Sequence, residues 1–532
     1  MLSVPSTAST GAADDQRGGS RIEQRAAKVS LVTGLSTLLT VVFQLVSVPV
    51  CLSYWGKETY GTWLALFSAF MLLRSLDGGY VAYVGNKLNY LYHQSFDALR
   101  EHLSSAVAGI ILISCLQLML ATGTLVVGPL ATMLGMPASH AEAAGARLGL
   151  LLLMISWTLT GSYLGIVHRL LIPAGLMYQA AWWGMGFQTT QFAAIMAAAV
   201  LRLTLLQTSL LFALSQVAVY VTSAFYVRHK LPDFTPWLRG ARIRTGLRDV
   251  GQSLMLTASN LIQQASTNGA VLMVAAFAGP VALPIFTTVR TLTNVWTSVT
   301  TVLTTPLLPD VVRIHVKGEV HKLVAINQAF WITVGSVVNL GALLTYPLMP
   351  FLYGRWTAHA VVLDKSLLCL MLGGVVLTNS AALMSLHLNG INSLRIVLGT
   401  SLARAAFCLG IGALGFGRLG LASFGLGILM GELAATLMTG LYFVKRELSE
   451  KGLKLATTAF GPVTLSTSSV LLFFIGSGFD WWSGTWSWLL AFSGVAIATR
   501  WGWITLDPLL RARFMDLPGR LYRRGSAARA RT

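Results

Sequence analysis

The sequence predicts an all-α polytopic membrane protein with about fourteen transmembrane helices. Of 532 residues, 55% are hydrophobic and only 11% charged, whereas a soluble domain carries about 25% charged residues. Mean hydropathy is +0.67. Apolar stretches of ~20 residues, long enough to cross a bilayer core, recur along the whole chain. Basic residues collect in alternate connecting segments, as the positive-inside rule requires.

In order, the spans are expected at 29–53, 60–84, 103–127, 147–168, 176–200, 206–227, 252–277, 281–306, 323–346, 363–386, 396–417, 419–443, 456–476 and 487–507. With the N-terminus inside, the inner segments hold roughly 28 of the 38 Lys and Arg and the outer ones about six. An even number of spans puts both basic tails in the cytoplasm. Residues 1–28 are polar and lack a signal peptide's apolar core, so they read as a disordered cytoplasmic tail; 508–532 read as a second, basic one. The basic segment 228–251 separates a first six-helix lobe, 29–227, from a second, 252–443, and 444–507 adds a further helix pair. A shift of 223 supports a repeat: it lays Gly56 on Gly279, Trp63 on Phe286, Thr37 on Asn260, Thr40 on Gln263 and Gln44 on Thr267.

Several functions are disfavoured. The net charge of +19 is spread over loops rather than gathered on one face, so no nucleic-acid partner is expected. The four cysteines form no CxxC pair and read as apolar packing residues. There is no GxxxxGK[ST] loop, HExxH, Cys/His constellation or GxSxG, so no cofactor, metal or catalytic site is expected. The longest outer loop, 128–146, is too short for a folded domain; that argues against a polymerase or ligase, and the chain is expected not to be an enzyme.

Polar residues inside the spans are the candidate site. In the first span, Thr33, Thr37, Thr40, Gln44 and Ser47 share a face that serves either helix packing or a cavity. In the seventh, Thr257, Asn260, Gln264 and Thr267, with Gln263 and Asn268, read as lining a wet cavity. Arg74 lies ~21 Å along its helix from Tyr60, with Asp77 three residues on as a local partner or helix-end group. Arg290 lies ~14 Å in, near the midplane, on a stripe with Thr287, Thr291, Asn294 and Ser298. A charge there costs at least about 2.5–3.5 kcal/mol on insertion scales, which a distant acid, a water-filled cavity or an anionic ligand must offset. Arg404 and Glu432 fall at the same depth on consecutive antiparallel helices and are expected to form a structural ion pair. The glycines crowding 410–431 are the candidate for flexing.

Pro49 in the first span, then Trp55-Gly56-Lys57-Glu58-Thr59-Tyr60-Gly61-Thr62-Trp63, then Leu76-Asp77-Gly78-Gly79, resemble the opening of bacterial polysaccharide flippases. These belong to the multidrug/oligosaccharidyl-lipid/polysaccharide exporter (MOP) superfamily. The stretch that carries the resemblance, Pro49 to Asn86, is about forty residues long. The resemblance implies two six-helix bundles around a central cavity, plus two C-terminal helices, working by alternating access. It implies an undecaprenyl-pyrophosphate-linked oligosaccharide as cargo, carried across the inner membrane for O-antigen or exopolysaccharide assembly, with membrane lipid and other polysaccharide-assembly membrane proteins as partners. Arg290 and Arg74 would then hold the pyrophosphate by charge-assisted hydrogen bonds, and Asn260, Gln263, Gln264, Asn294 and Gln44 would meet sugar hydroxyls. The rivals are a peptidoglycan-precursor flippase, a drug/cation antiporter (which would want an unpaired acid) and, less so, a polymerase or ligase.

Overall fold

A computed structural model describes residues 11–92, 94–126, 140–304, 307–391, 393–447, 452–481, 485–506, 508 and 511. Among these the chain is mostly helical, with irregular backbone around 235–242 and at 357–364, and contains no strand. The order is α1 (Gly11–Arg74), α2 (Gly78–Tyr92), α3 (Phe96–Val126), α4 (His140–Ser156), α5 (Tyr163–Arg169), α6 (Met177–Val200), α7 (Leu205–Lys230), α8 (Ile243–Gln264), α9 (Ala270–Ala278) and α10 (Leu283–Thr304). Then come α11 (Leu308–Val316), α12 (Val320–Phe330), α13 (Ser336–Thr345), α14 (Met349–Trp356), α15 (Lys365–Ser380), α16 (Ala382–Gly390), α17 (Leu394–Leu419), α18 (Ala422–Glu447), α19 (Gly452–Gly478) and α20 (Thr485–Thr505). Short π-helical turns, Trp157–Ser162, Ala265–Gly269 and Trp331–Gly335, join α4 to α5, α8 to α9 and α12 to α13.

The fourteen expected spans fall on helical backbone over most of their length. By length and apolarity, nine helices among the described residues qualify as membrane spans, or ten if the bent pair α15–α16 is one span. One of the nine, Gly34–Arg74, is 41 residues long, about 60 Å at 1.5 Å per residue and twice the thickness of a hydrocarbon core. Gly56 breaks it in two. Its backbone (φ 75°, ψ −179°) is non-helical and lies where only glycine is unstrained. Gly279, its partner in the 223-residue shift, has φ 75° and ψ 174°. The same glycine turn therefore opens the second helix of each half of the chain. Residues 11–28 of the expected disordered tail are helical; their Ala, Arg, Gln and Lys content favours that state. Residues 1–10, the 128–139 part of the long outer loop and most of 508–532 lie outside the described residues.

The contacts form two compact units. Among the described residues, the first holds those up to Leu261 except 56–68, and the second holds 56–68 and everything from Ile262 on. The tip of the first hairpin belongs with the second unit, and the 228–261 stretch with the first.

In the first unit, Tyr80, Val84, Leu88, Leu99, Leu103, Val107 and Ile110 form a core that also takes Phe234 from the basic segment. That segment is docked rather than loose. Ser104 Oγ donates to the Arg239 carbonyl at 2.9 Å, Arg242 N donates to Ser105 Oγ at 3.0 Å, and Arg242 pairs with Glu101 at 3.0 Å.

Helix α8 then runs along α2 and α3 as a seam. A Cβ on Gly246 would lie 2.5 Å from the Ser105 carbonyl, and one on Gly79 would lie 2.2 Å from Thr257 N; both glycines are there for close approach. Asp249, wholly buried, accepts from Lys87 Nζ at 2.8 Å and lies 3.4 Å from His102 Nδ1. The Tyr83 hydroxyl donates to the Gln252 side chain, and Asn260 Nδ2 donates to the Ser75 carbonyl at 2.9 Å.

In the second unit, Gly61 seats the Pro280 carbonyl, which a Cβ would meet at 1.8 Å. Two of the crowded glycines serve close packing: Gly427 and Gly431 of α18 face the backbone of Cys408 and Arg404 on α17. The last pair is held by polar contacts, Asn339 Nδ2 to Ser466 Oγ at 2.9 Å and Ser336 with Thr499 at 3.1 Å, the kind of bond that joins helices where lipid removes the hydrophobic drive.

Two stability outcomes follow from these contacts. Lys87→Met strands a buried carboxylate and is expected to destabilise by about 3–5 kcal/mol, most of which Lys87→Met/Asp249→Leu restores. Gly427→Val, forced into the α17 backbone, is expected to lose about 1–3 kcal/mol, while Gly410→Ala, with nothing within 4 Å of its Cβ position, is neutral. Unfolding of purified protein in detergent, read by denaturant titration, measures both.

Candidate functional site

Arg74 closes α1, and α2 starts three residues later at Gly78. Its guanidinium lies 3.8 Å above the Trp157 ring, a cation–π contact worth ~2 kcal/mol or more when desolvated. The indole Nε1 of Trp157 donates to the Asp77 carboxylate at 2.7 Å. Gln117 Nε2 donates to the carbonyls of Leu73 and Arg74 at 3.2 and 3.3 Å, which also accept from Leu76 N and Asp77 N at 3.3 and 3.4 Å in the turn that ends the helix. Trp157 opens the first π-turn. Asp77 therefore has a neutral donor as its partner, and Arg74 an aromatic face. Asn260 reaches the same place, through its bond to the carbonyl of Ser75.

Arg290 sits on α10. Its Nη1 donates to the Thr267 carbonyl at 2.8 Å, inside the second π-turn. A π-turn shifts the local hydrogen-bond ladder and presents carbonyls to side chains; such turns occur often at functional sites. Close by, Cys408 Sγ approaches the Ser266 carbonyl at 3.6 Å, and Asn268 Nδ2 donates to Gln264 Oε1 at 2.7 Å. Gln263 is exposed and its carbonyl accepts from Thr267 Oγ1 at 3.3 Å. Asn294 is half-buried, with no hydrogen bond to its amide among the described residues. Gln44 is exposed; on its face of α1, Ser36 and Thr40 donate to Gln188 of α6 at 3.1 and 3.2 Å, so the upper part of that stripe serves packing.

The expected residues thus fall into two groups. Gln44, Arg74 and Asn260 lie in the first unit; Gln263, Gln264, Arg290 and Asn294 lie in the second. Neither Arg74 nor Arg290 has a carboxylate within 4 Å among the described residues. Of five guanidinium N–H groups, Arg290 commits one to a main-chain carbonyl. Arg404 and Glu432 behave differently: Nε and Nη2 meet Oε1 and Oε2 at 2.8 and 3.0 Å, a bidentate pair that neutralises both charges. Sequence reasoning missed Trp157 and the two π-turns. An indole in mid-span opposite an aspartate was the available signal for the first; the turns leave none.

No family model matches the chain, and no curated protein matches it. Solved structures do. A MATE family multidrug resistance transporter of the MOP superfamily in an inward-facing conformation aligns with TM-score 0.63 and 15% identity over 78% of this chain and 98% of its own. The lipid II flippase MurJ, in an inward closed conformation, aligns with TM-score 0.64 and 12% identity over 90% of this chain and 100% of its own. A MOP-superfamily transporter from Pyrococcus furiosus, noted for reversed polarity of its binding pocket, gives 0.55 and 15% over 80% and 96%. The chain is a multi-pass, all-helical membrane protein with the fold of MOP-superfamily transporters.

Trp157→Phe keeps the ring under Arg74 but removes the donor to Asp77. It is expected to lower stability by about 1–3 kcal/mol, the cost of an unsatisfied buried acceptor, and Trp157→Phe/Asp77→Leu to recover part of it. Thermal unfolding of the purified variants checks this.

Proposed function

We propose that the chain is a flippase that moves undecaprenyl-pyrophosphate-linked oligosaccharide repeat units from the cytoplasmic to the periplasmic face of the bacterial inner membrane, for surface polysaccharide assembly. It would cross the membrane about fourteen times, with both termini cytoplasmic. The observation that supports this most is Arg290: a guanidinium on α10 anchored by one backbone carbonyl and without a carboxylate within 4 Å among the described residues. A diphosphate supplies the missing charge and matches the planar fork. Arg74 is the second cationic group, and Gln263, Gln264, Asn260, Asn294 and Gln44 are the amides for sugar hydroxyls. The opening motif favours a polysaccharide cargo.

The acids within the spans speak against a cation antiporter. Asp77 accepts from Trp157, Asp249 from Lys87, and Glu432 from Arg404, so each already has a partner. A second reading, flipping of a peptidoglycan precursor, is favoured by the extent of the MurJ alignment, 90% of this chain, against 78% for the MATE transporter. Both cargoes are anionic lipid-linked sugars and use the same arginine chemistry.

The test is the sidedness of lipid-linked oligosaccharide in cells lacking the protein, with rescue by wild type, Arg290→Ala and Arg74→Ala at matched membrane abundance. Repeat units are expected to accumulate on the cytoplasmic face. Arg290→Ala, losing charge-assisted bonds worth about 1.5–3 kcal/mol, is expected to cut flipping by roughly 10- to 150-fold. Accumulation of peptidoglycan precursor instead selects the second reading, and intact repeat units outside the membrane would sink both.

A further inference from the structure

The first unit holds a half-open cleft of about 450 Å³ between the α4–α5 segment and α7, roofed by the docked basic segment. That volume is within the ~300–1,000 Å³ of ordinary ligand pockets. Its walls are Leu159 and Tyr163 on one side and Val221 and Phe225 on the other; Arg228 and Trp237 stand at the roof. Leu159 and Phe225 are 67% and 66% exposed, so the mouth opens on the surface that the spans turn to acyl chains. The Trp237 ring meets Tyr163 edge-on at 5.7 Å, and Phe234, three residues earlier, is sunk in the core against Phe96 at 5.0 Å. The roof is therefore fixed in place and does not need a ligand to form.

We infer that this cleft is a binding site for one anionic glycerophospholipid: an acyl chain between Leu159 and Phe225, its phosphate against Arg228. Charge decides the occupant. Arg228 is exposed, closes α7 with His229 and Lys230 beside it, and has no acidic partner among the described residues. Arg239, Arg242, Arg244 and Arg248 follow in the same segment. Basic groups at a membrane surface select anionic headgroups, and an aromatic roof at headgroup depth suits the boundary between chain and phosphate. The cleft shares a wall with the arginine site: Leu159 belongs to the π-turn whose Trp157 holds Arg74 and Asp77.

Native mass spectrometry of the purified full-length protein, released from micelles carrying phosphatidylglycerol or phosphatidylcholine, tests the assignment. Wild type is expected to retain phosphatidylglycerol on the order of fivefold over phosphatidylcholine, the selectivity of about one well-placed basic side chain. Arg228→Gln, at an exposed helix end, is expected to lose that preference. Leu159→Trp, which fills the cleft, is expected to lose retention of both lipids while its thermal stability stays at the wild-type level. Equal retention by wild type, or an unchanged preference in Arg228→Gln, overturns the proposal. So does displacement of phosphatidylglycerol by undecaprenyl phosphate, which would make the cleft part of the cargo's path. Lipid retention is read without transport, so its failure and that of the flippase reading are distinguishable.

Discussion

Inside hydrocarbon a carboxylate, an amide or a backbone carbonyl has no water to turn to, and each one left alone costs several kcal/mol. The arrangement of this chain follows from that constraint. Asp249 is held by Lys87, Glu432 by Arg404 and Asp77 by Trp157. The carbonyls of Leu73 and Arg74, at the end of α1, accept from Gln117 in addition to the turn's own N–H groups. Against that background Arg290 stands out, because its charge is solvated by a single main-chain oxygen.

The small residues answer to a related constraint. With lipid as apolar as any side chain, helices gain by close backbone approach rather than by hiding from solvent. Gly78 and Gly79 of the opening motif let α8 lie against the start of α2; a Cβ on Gly78 would come within 2.4 Å of the Asn260 amide. The motif's other elements divide the labour: Gly56 makes the turn, Gly61 admits Pro280, and Asp77 ties the helix end to Trp157.

Much of this was legible in the sequence, and the reasons are specific. Span positions follow from runs of apolar residues whose length the bilayer sets. Arg404 and Glu432 were placed opposite one another by rise per residue alone. The Gly56–Gly279 repeat was readable because glycine at a left-handed turn has few substitutes. What stayed hidden has equally physical causes. A π-turn inserts one residue into a helix and leaves no compositional mark. The stripe on α8 reads the same for a wet face and for a seam, and only the structure shows that Asn260 donates to the Ser75 carbonyl. Unit boundaries were blurred for the same reason, since nothing in 228–261 announces that α2 and α3 hold its cognate surface.

The seam along α8 has a consequence for how the protein is made. Asp249, from the basic segment where α8 begins, fills a pocket built by α2 and α3, and it leaves the ribosome long after Lys87 and His102. Until it arrives, the nascent first unit carries a lysine with no counter-charge and a row of glycines facing nothing. The helices before α8 are thus an unfinished body until that segment is made. A chain cut before residue 243 would be expected to meet quality-control proteolysis rather than persist as a folded fragment.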